Sequence, residues 1–576
     1  MRRVLIANRG EIAVRVVRAV AEAGLVSVAV YADQDADALH VRLADEAYVL
    51  GGATAAESYL SIEWLMAAAQ ASGADAVHPG YGFLSESAEF ARAVEAAGLI
   101  WIGPSPESID SLGDKITARR IAQSVGAPLV AGTDRPLESA DEAVAFAREH
   151  GLPIAIKAAF GGGGRGLKVA RELDDVADAF DSASREALAA FGRGECFVER
   201  FLERPRHIEA QVLGDGTGHV VVVGDRDCSL QRRNQKLVEE APAPGLTDEQ
   251  RRRIHDAARD ICAAVSYRGA GTVEFLMGED GVISFLEVNT RLQVEHPITE
   301  AVTGVDLVAE QLRIAAGEGI SFAETPAPSG HAIELRINAE DPGRGFLPSP
   351  GVVTGLRAPS GPGVRWDAGI EAGDTVQSAF DSLIAKLIVH APNRDTAVVR
   401  ARRALRELEV EGVATVVPFA RVLLDDPAFS TAGFAVHTQW IETTLMPRLE
   451  AQRRPEPAPV QPLRRVPIEI DGRRVMLGLP DDLLRGIAAG GTTAAEVGPA
   501  AAVADPAVLE ATVPGVLVDW LVPDGEQVTE GQDVAVIDAM KMETRVAAHR
   551  AGVLSRGTDV GGTVAIGDVL GKIDQA

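Results

Sequence analysis

The chain opens on an apolar run, Val4-Leu5-Ile6-Ala7, that stops at Asn8-Arg9-Gly10 and gives way to a 3.6-residue rhythm over residues 11–24. This order predicts a strand over 3–7, a turn, and a helix ending at Gly24. VSVAVY (26–31) restores the strand pattern, and ADAVHPG and LIWIGP continue the alternation to about residue 105. Strand, helix and strand in succession predict an open parallel sheet with ligands at the strand ends, a Rossmann-like domain over 1–112. Gly10 alone makes no GxGxxG, which argues against a nicotinamide cofactor.

From 113 to 330 amphipathic helices such as DEAVAFAREH mix with strands such as HVVVVG and VISFLEVN, which predicts an α+β region. A further α+β block, 331–446, opens on HAIELRINAE and ends near Trp440. Residues 447–505 read as a linker: QRRPEPAPVQP (452–462) is proline-rich and 487–505 is rich in Ala and Gly. Between those stretches VPIEIDGRRVMLGLP predicts a small hairpin around Asp471-Gly472.

The end of the chain repeats itself. PGVLVDWLVPDGEQVTEGQDV (514–534) is echoed by AGVLSRGTDVGGTVAIGDVL (551–570), with Gly567 answering Gly531. Two related half-units predict an all-β flattened sandwich over 506–576 with quasi-twofold symmetry. The joining segment Ala539-Met540-Lys541-Met542-Glu543 then becomes an exposed turn with Lys541 at its tip.

Composition narrows the function. With 46% hydrophobic and 24% charged residues over 576, the chain has material for several cores. A net charge of -27 repels nucleic acid and anionic membranes, so an anionic substrate needs a local basic pocket. No apolar stretch reaches the ~18 residues of a membrane span, and the apolar run in MRRVLIANRGE is too short for a signal core. Cys196, Cys228 and Cys262 are odd in number and lack CxxC spacing, which suits a reducing compartment, the cytoplasm by default. Cys228 reads as a buried structural thiol.

The candidate chemistry lies in 113–330. In KAAFGGGGRG, Lys157 precedes Gly161, Gly162, Gly163 and Gly164, whose backbone N–H groups can wrap phosphate oxygens. No Lys-Ser/Thr follows, so this is not a P-loop. Lys115 lies upstream, and Glu199 and Leu202 in VERFLE downstream could form a hinge for adenine. Glu274 and Glu287, on separate strand-like runs, together with Asn289 offer hard oxygen ligands for Mg²⁺ or Mn²⁺ beside ATP phosphates.

Together GDK, KAAFGGGG, ERFLERPRHIE, RDCSLQRRNQK, GTVEF, EVNTRLQVEHP and HPGYGFLSE resemble the ATP-grasp carboxylases, specifically biotin carboxylase, over residues 2–446. Residues 506–576, with two methionines bracketing Lys541, resemble a biotinyl domain; lipoyl domains are the nearest relatives. The resemblance implies an α/β multidomain chain: a Rossmann-like N-terminal domain (1–112), an ATP-grasp domain (113–330), a biotin carboxylase C-terminal domain (331–446) and a carboxyl carrier domain (506–576). It implies carboxylation of biotin on Lys541 with ATP and bicarbonate, the first half-reaction of an acyl-CoA carboxylase of the acetyl- or propionyl-CoA type. A separate carboxyltransferase (beta) subunit would pass the carboxyl group to acyl-CoA, biotin protein ligase would load Lys541, and the chain would work in a homo- or hetero-oligomer. Acyl-chain selection would lie in that other subunit.

The same resemblance implies residue roles. Glu295 deprotonates bicarbonate, which attacks the ATP γ-phosphate to give carboxyphosphate; this breaks down to CO₂ and phosphate, and the phosphate takes biotin's proton. Lys236, Arg291, Gln293 and the Val294 backbone hold bicarbonate; Arg336 stabilises the biotin enolate. Lys115, Lys157, His207 and Gln231 contact ATP. Asn234 stands where some biotin carboxylases have histidine near the ribose, which implies altered nucleotide affinity. Phe160 is bulkier than the family pattern leads one to expect, and His296 lacks zinc-site spacing and reads as structural. The 447–505 region is shorter than the docking domain of larger homologous subunits, and the hairpin at 466–480 is the candidate docking element. The competing readings are another ATP-grasp ligase in which Lys541 is incidental, and a carrier or scaffold without catalysis.

Overall fold

The computed structural model describes residues 1–133, 135–158, 167–191, 193–322, 324–431, 434–450, 463–470, 473–480, 507–513, 515–539, 542–564 and 567–574. Phe160, Gly161, Gly162, Gly163, Gly164 and Lys541 lie outside the described residues. The chain divides into two compact units, a large N-terminal one and a smaller C-terminal one.

The large unit begins with a five-stranded parallel sheet in the order Glu46–Val49, Val26–Tyr31, Arg3–Ile6, Ala76–His78, Ile100–Trp101. Arg3–Ile6 is central because the chain first steps to one side of it and then returns to the other, creating a switch point at its carboxyl end. The helix Gly10–Glu22 starts there and buries Ile12, Val16, Val17 and Val20. Asn8 Nδ2 donates to the carbonyls of Pro79 at 2.7 Å and Tyr81 at 2.8 Å, fixing the HPGYGF loop over the switch point.

The second layer is an eight-stranded sheet, antiparallel throughout. Its order is Ile283–Asn289, Arg268–Met277, Arg206–Asp215, Val220–Arg232, Gln235–Ala241, His331–Asn338, Leu383–Ala391, Val364–Ala368. The sheet crosses residue 330 without a break, because Gln235–Ala241 pairs with His331–Asn338. Hydropathy does not report such a pairing; it is made of backbone hydrogen bonds between distant segments. A three-stranded sheet, Leu167–Ala170, Ile154–Ala158 and Cys196–Arg200, packs with the helices Ala140–His150 and Val176–Phe191 around its own core of Phe146, Ile154, Ile156 and Phe180.

In the C-terminal unit Leu463–Ile470 and Arg473–Pro480 form an antiparallel hairpin. The last residues form two four-stranded sheets. The internal repeat is legible in their packing. Gly515 lies where a Cβ would strike the carbonyl oxygen of Asp538, and Gly552 where one would strike that of Asp574. Asp533–Ala539 and Met542–Ala547 pair with Ala539 opposite Met542, so the connection between them is Met540-Lys541. Among the described residues no helix is long and apolar enough to cross a membrane.

Candidate active site

One cavity of about 1050 Å³ opens between the eight-stranded and three-stranded sheets, and every described candidate residue lines it. Strand periodicity explains the placement. Alternate residues share a face, and the register sets Glu209 opposite Glu274 and Glu274 opposite Glu287, a row of carboxylates across three strands.

Such a row is tolerable only with buried cations among it. Lys236 Nζ lies 2.7 Å from Glu209, 2.8 Å from Glu274 and 2.6 Å from Glu295. Burial opposes its charge, but these carboxylates hold its pKa well above the ordinary lysine value. Arg226, fully buried, pairs with Glu209 and donates to Gln211 Oε1 at 2.7 Å and to Gln293 Oε1 at 2.9 Å. Gln293 in turn donates to Glu274 at 2.7 Å.

Glu295 is 1% exposed at the N-terminal end of the helix His296–Thr303. Its Oε1 accepts from Lys236 at 2.6 Å and its Oε2 from Arg336 at 2.8 Å. Burial would raise its pKa, but Lys236, Arg336 and Arg226 together hold it far below the usual carboxylate range. The carboxylate is therefore ionised but weakly basic until a ligand draws those cations away. Arg336 is anchored at its other edge, Nε to Glu239 at 2.6 Å.

Toward the nucleotide side, Glu274 shows the same balance, burial outweighed by Lys236 and His207. Glu287 goes the other way: burial and the neighbouring Glu274 raise it, with Lys115 only partly offsetting them. A group so placed gains from a cation at its oxygens. His207 Nε2 lies 3.1 Å from Glu274, while its Nδ1 lies 3.0 Å from the Gln231 amide nitrogen, an arrangement that puts the ring proton on Nε2. Lys157 and Glu199, on adjacent strands, form an ion pair, and Leu202 is 7% exposed on the wall. Arg291 donates to Glu86 at 2.9 Å and to Asn289 Oδ1 at 3.0 Å, and the Val294 carbonyl accepts from Lys386 at 2.8 Å.

Asn234 lines the cavity at φ 64, in the two-residue turn between Val220–Arg232 and Gln235–Ala241. Asn and His are among the side chains that tolerate this left-handed backbone, which explains why either can stand there. Cys228 is buried with its Sγ 4.0 Å from Glu295, its thiol pushed well up by burial and then by Glu209. His296 is buried with Nδ1 2.8 Å from the Gln293 carbonyl and is held in the neutral form by burial and by Lys386, which fits a structural role.

The sequence reading missed Glu209, Arg226, Glu239, Lys386 and Glu86. Glu209 follows His207 by two positions, and Arg226 sits between Asp225 and Asp227 in the strand stretch VVVVGDRDCSL. Only the first was a local signal; the partners that give both residues meaning are remote in sequence.

Matches to known families cover nearly the whole chain. Residues 1–109 match "Biotin carboxylase, N-terminal domain", 114–322 "Carbamoyl-phosphate synthase L chain, ATP binding domain", 334–443 "Biotin carboxylase C-terminal domain", and 502–573 "Biotin-requiring enzyme". The biotin-dependent acyl-coenzyme A carboxylase alpha3 subunit of Mycobacterium leprae is 55% identical over 99% of this chain and 98% of its own. The chain belongs to the family of biotin-dependent acyl-CoA carboxylase alpha subunits. Its activity is that of a biotin carboxylase, an ATP-dependent carboxylase ligase. The biotin carboxylase of Haemophilus influenzae is 49% identical over 76% of this chain and 98% of its own. A solved complex of Campylobacter jejuni biotin carboxylase with β,γ-ATP superposes with a TM-score of 0.73 at 41% identity, covering 77% of this chain and 98% of that one. The biotin carboxylase domain of Hydrogenobacter thermophilus 2-oxoglutarate carboxylase, solved with MgADP, ADP and bicarbonate, gives a TM-score of 0.72 at 44% identity, covering 78% and 98%.

Proposed function

We propose that this alpha subunit carries biotin on Lys541 and carboxylates it there with ATP and bicarbonate. The observation that carries the reading is Glu295, held between Lys236 and Arg336 in the same cavity as Lys157 and Glu199. Bicarbonate entering among Lys236, Arg291, Gln293 and Val294 draws Lys236 toward itself, which restores basicity to Glu295. Glu295 then takes the bicarbonate proton, and the freed oxygen attacks the γ-phosphorus of ATP, forming carboxyphosphate and releasing ADP. Lys115, Lys157, Glu199, Leu202, His207, Gln231 and the glycines 161–164 hold the nucleotide.

The donor set fits a hard divalent cation: Glu274 and Glu287 face each other across one strand pair, and burial and Glu274 raise the Glu287 carboxyl despite Lys115. Glu274, Glu287 and Asn289 would hold Mg²⁺, which would neutralise the ATP phosphates. Ala539 pairs with Met542, so Lys541 falls in the two-residue connection between two strands, a place suited to a prosthetic arm. Biotin on Lys541 supplies the ureido nitrogen that accepts the carboxyl group. Arg336 would offer the ureido group a cation that stays protonated at every working pH.

A separate carboxyltransferase subunit completes the overall reaction, biotin protein ligase loads Lys541, and the subunit acts in the cytoplasm in a homo- or hetero-oligomer, with the hairpin at 466–480 as docking element. The test is bicarbonate- and biotin-dependent ATP hydrolysis. Glu295→Gln is expected to lower kcat by at least about a hundredfold with the KM for ATP within a few-fold. An unchanged kcat would remove Glu295 from the role of base.

A further inference from the structure

Behind Arg336 lie acidic groups that the chemistry above leaves unused. Glu239 on Gln235–Ala241 and Glu334 on His331–Asn338 are direct cross-strand partners, and both are 0% exposed. Glu239 Oε1 accepts from Arg336; its Oε2 and both carboxylate oxygens of Glu334 have no hydrogen-bond partner among the described residues. Directly opposed side chains on antiparallel strands stand about 4.5–5.5 Å apart at Cβ and meet on the same face. Two buried carboxylates in that position cannot both ionise without heavy repulsion, and a buried oxygen without a partner forfeits a hydrogen bond. One proton between them answers both problems: the protonated carboxyl donates to its ionised neighbour.

We infer that Glu239 and Glu334 hold one proton between them, and that this buried acid pair is the positioning device for Arg336. It presents a single negative charge to the Nε edge of the guanidinium, while the Nη edge faces Glu295. The groups facing the pair come from every neighbouring element. Arg336 shares a strand with Glu334, and Lys386 lies directly opposite Arg336 on Leu383–Ala391. Lys236 shares a strand with Glu239, Glu295 precedes His296–Thr303, and Glu11 of the helix Gly10–Glu22 pairs with Lys386 at 3.1 Å. Burial agrees with the geometry: it pushes Glu239 up to about 7 against the pull of Arg336, and Glu334 well above the usual carboxylate range against that of Lys386, with Glu239 adding to the rise of Glu334.

The consequence lies in timing. When Glu295 accepts the bicarbonate proton it stops neutralising the Nη edge of Arg336. Glu239 still fixes the Nε edge, so the guanidinium keeps its orientation while its positive charge becomes available to the biotin ureido group. A second ionised carboxylate behind Arg336 would cancel that gain. This positioning half rests on the proposed place of biotin at Arg336; the shared proton does not.

The test uses the full biotinylated chain. Isotope-edited infrared difference spectra at neutral pH should show a protonated-carboxyl carbonyl band in the wild type that is absent from Glu334→Gln, whose amide donates to Glu239 without a titrating proton. Glu334→Leu removes the donor and is expected to lower kcat about tenfold with the KM for ATP unchanged, and Glu334→Gln to recover most of that loss. On the alkaline side the wild-type kcat should fall as the pair loses its proton, by about tenfold per pH unit, whereas Glu334→Gln should hold its rate. Absence of the band from the wild type, or its persistence in Glu334→Gln, overturns the shared proton. Coincident alkaline limbs, with the band difference present, overturn the positioning role alone.

Discussion

The eight-stranded sheet of the catalytic unit and the sandwich at the end of the chain use the same two-residue periodicity for opposite ends. In the first, buried strand positions carry charge: Glu209, Arg226, Glu239, Glu274, Glu334 and Arg336 are all shielded from solvent or nearly so. In the second, buried positions such as Leu517, Val534, Ile537, Leu554, Leu570 and Ile573 are apolar, and glycine permits the closest strand approaches. A reactive site needs charges whose solvation the protein replaces, so it accepts buried ion networks that add little net stability. A carrier needs only a stable scaffold for the group it bears, so an apolar core suffices.

The contrast is broken most severely at Lys236. Lys236→Met removes the cation shared by Glu209, Glu274 and Glu295 and leaves uncompensated buried charge. The expected result is loss of bicarbonate-dependent ATP cleavage and about 3–5 kcal/mol of stability, read from the urea midpoint of the catalytic unit's transition. In the sandwich no charge change is needed to do harm. Gly552→Ala puts a methyl group against the Asp574 carbonyl and is expected to cost about 1–3 kcal/mol in the carrier's unfolding, while carboxylation of free biotin continues.

These two substitutions also show how much of the molecule was legible in its sequence. The repeat that brings Gly515 and Gly552 to matching positions is local and periodic, so the sandwich could be read directly. The parallel N-terminal sheet was readable for the same reason. The residues lining the cavity were found through motif resemblance, because each motif is short and contiguous. What escaped was pairing between distant strands: the sheet running across residue 330, Glu239 facing Glu334, and Arg226 reaching Gln293 across 67 positions. Such contacts depend on register, which no single segment encodes.

The smallest expected effect sharpens the nucleotide side of the comparison. Asn234→His keeps a residue that tolerates the left-handed turn, so the fold should be unaffected. The KM for ATP is expected to shift by about two- to fivefold with kcat nearly constant, since an imidazole and an amide make comparable hydrogen bonds. A large drop in kcat instead would show that the turn positions Lys236, two residues on, rather than the nucleotide.

The most direct test of the central claim, that one unit of the chain performs the chemistry and the other carries the reacting group, is to assay Lys541→Arg in both half-systems. ATP-dependent carboxylation of free biotin by the variant should stay within about twofold of wild type, while acyl-CoA carboxylation with the carboxyltransferase subunit present falls to background. Loss of both activities, or survival of both, would contradict the division of labour.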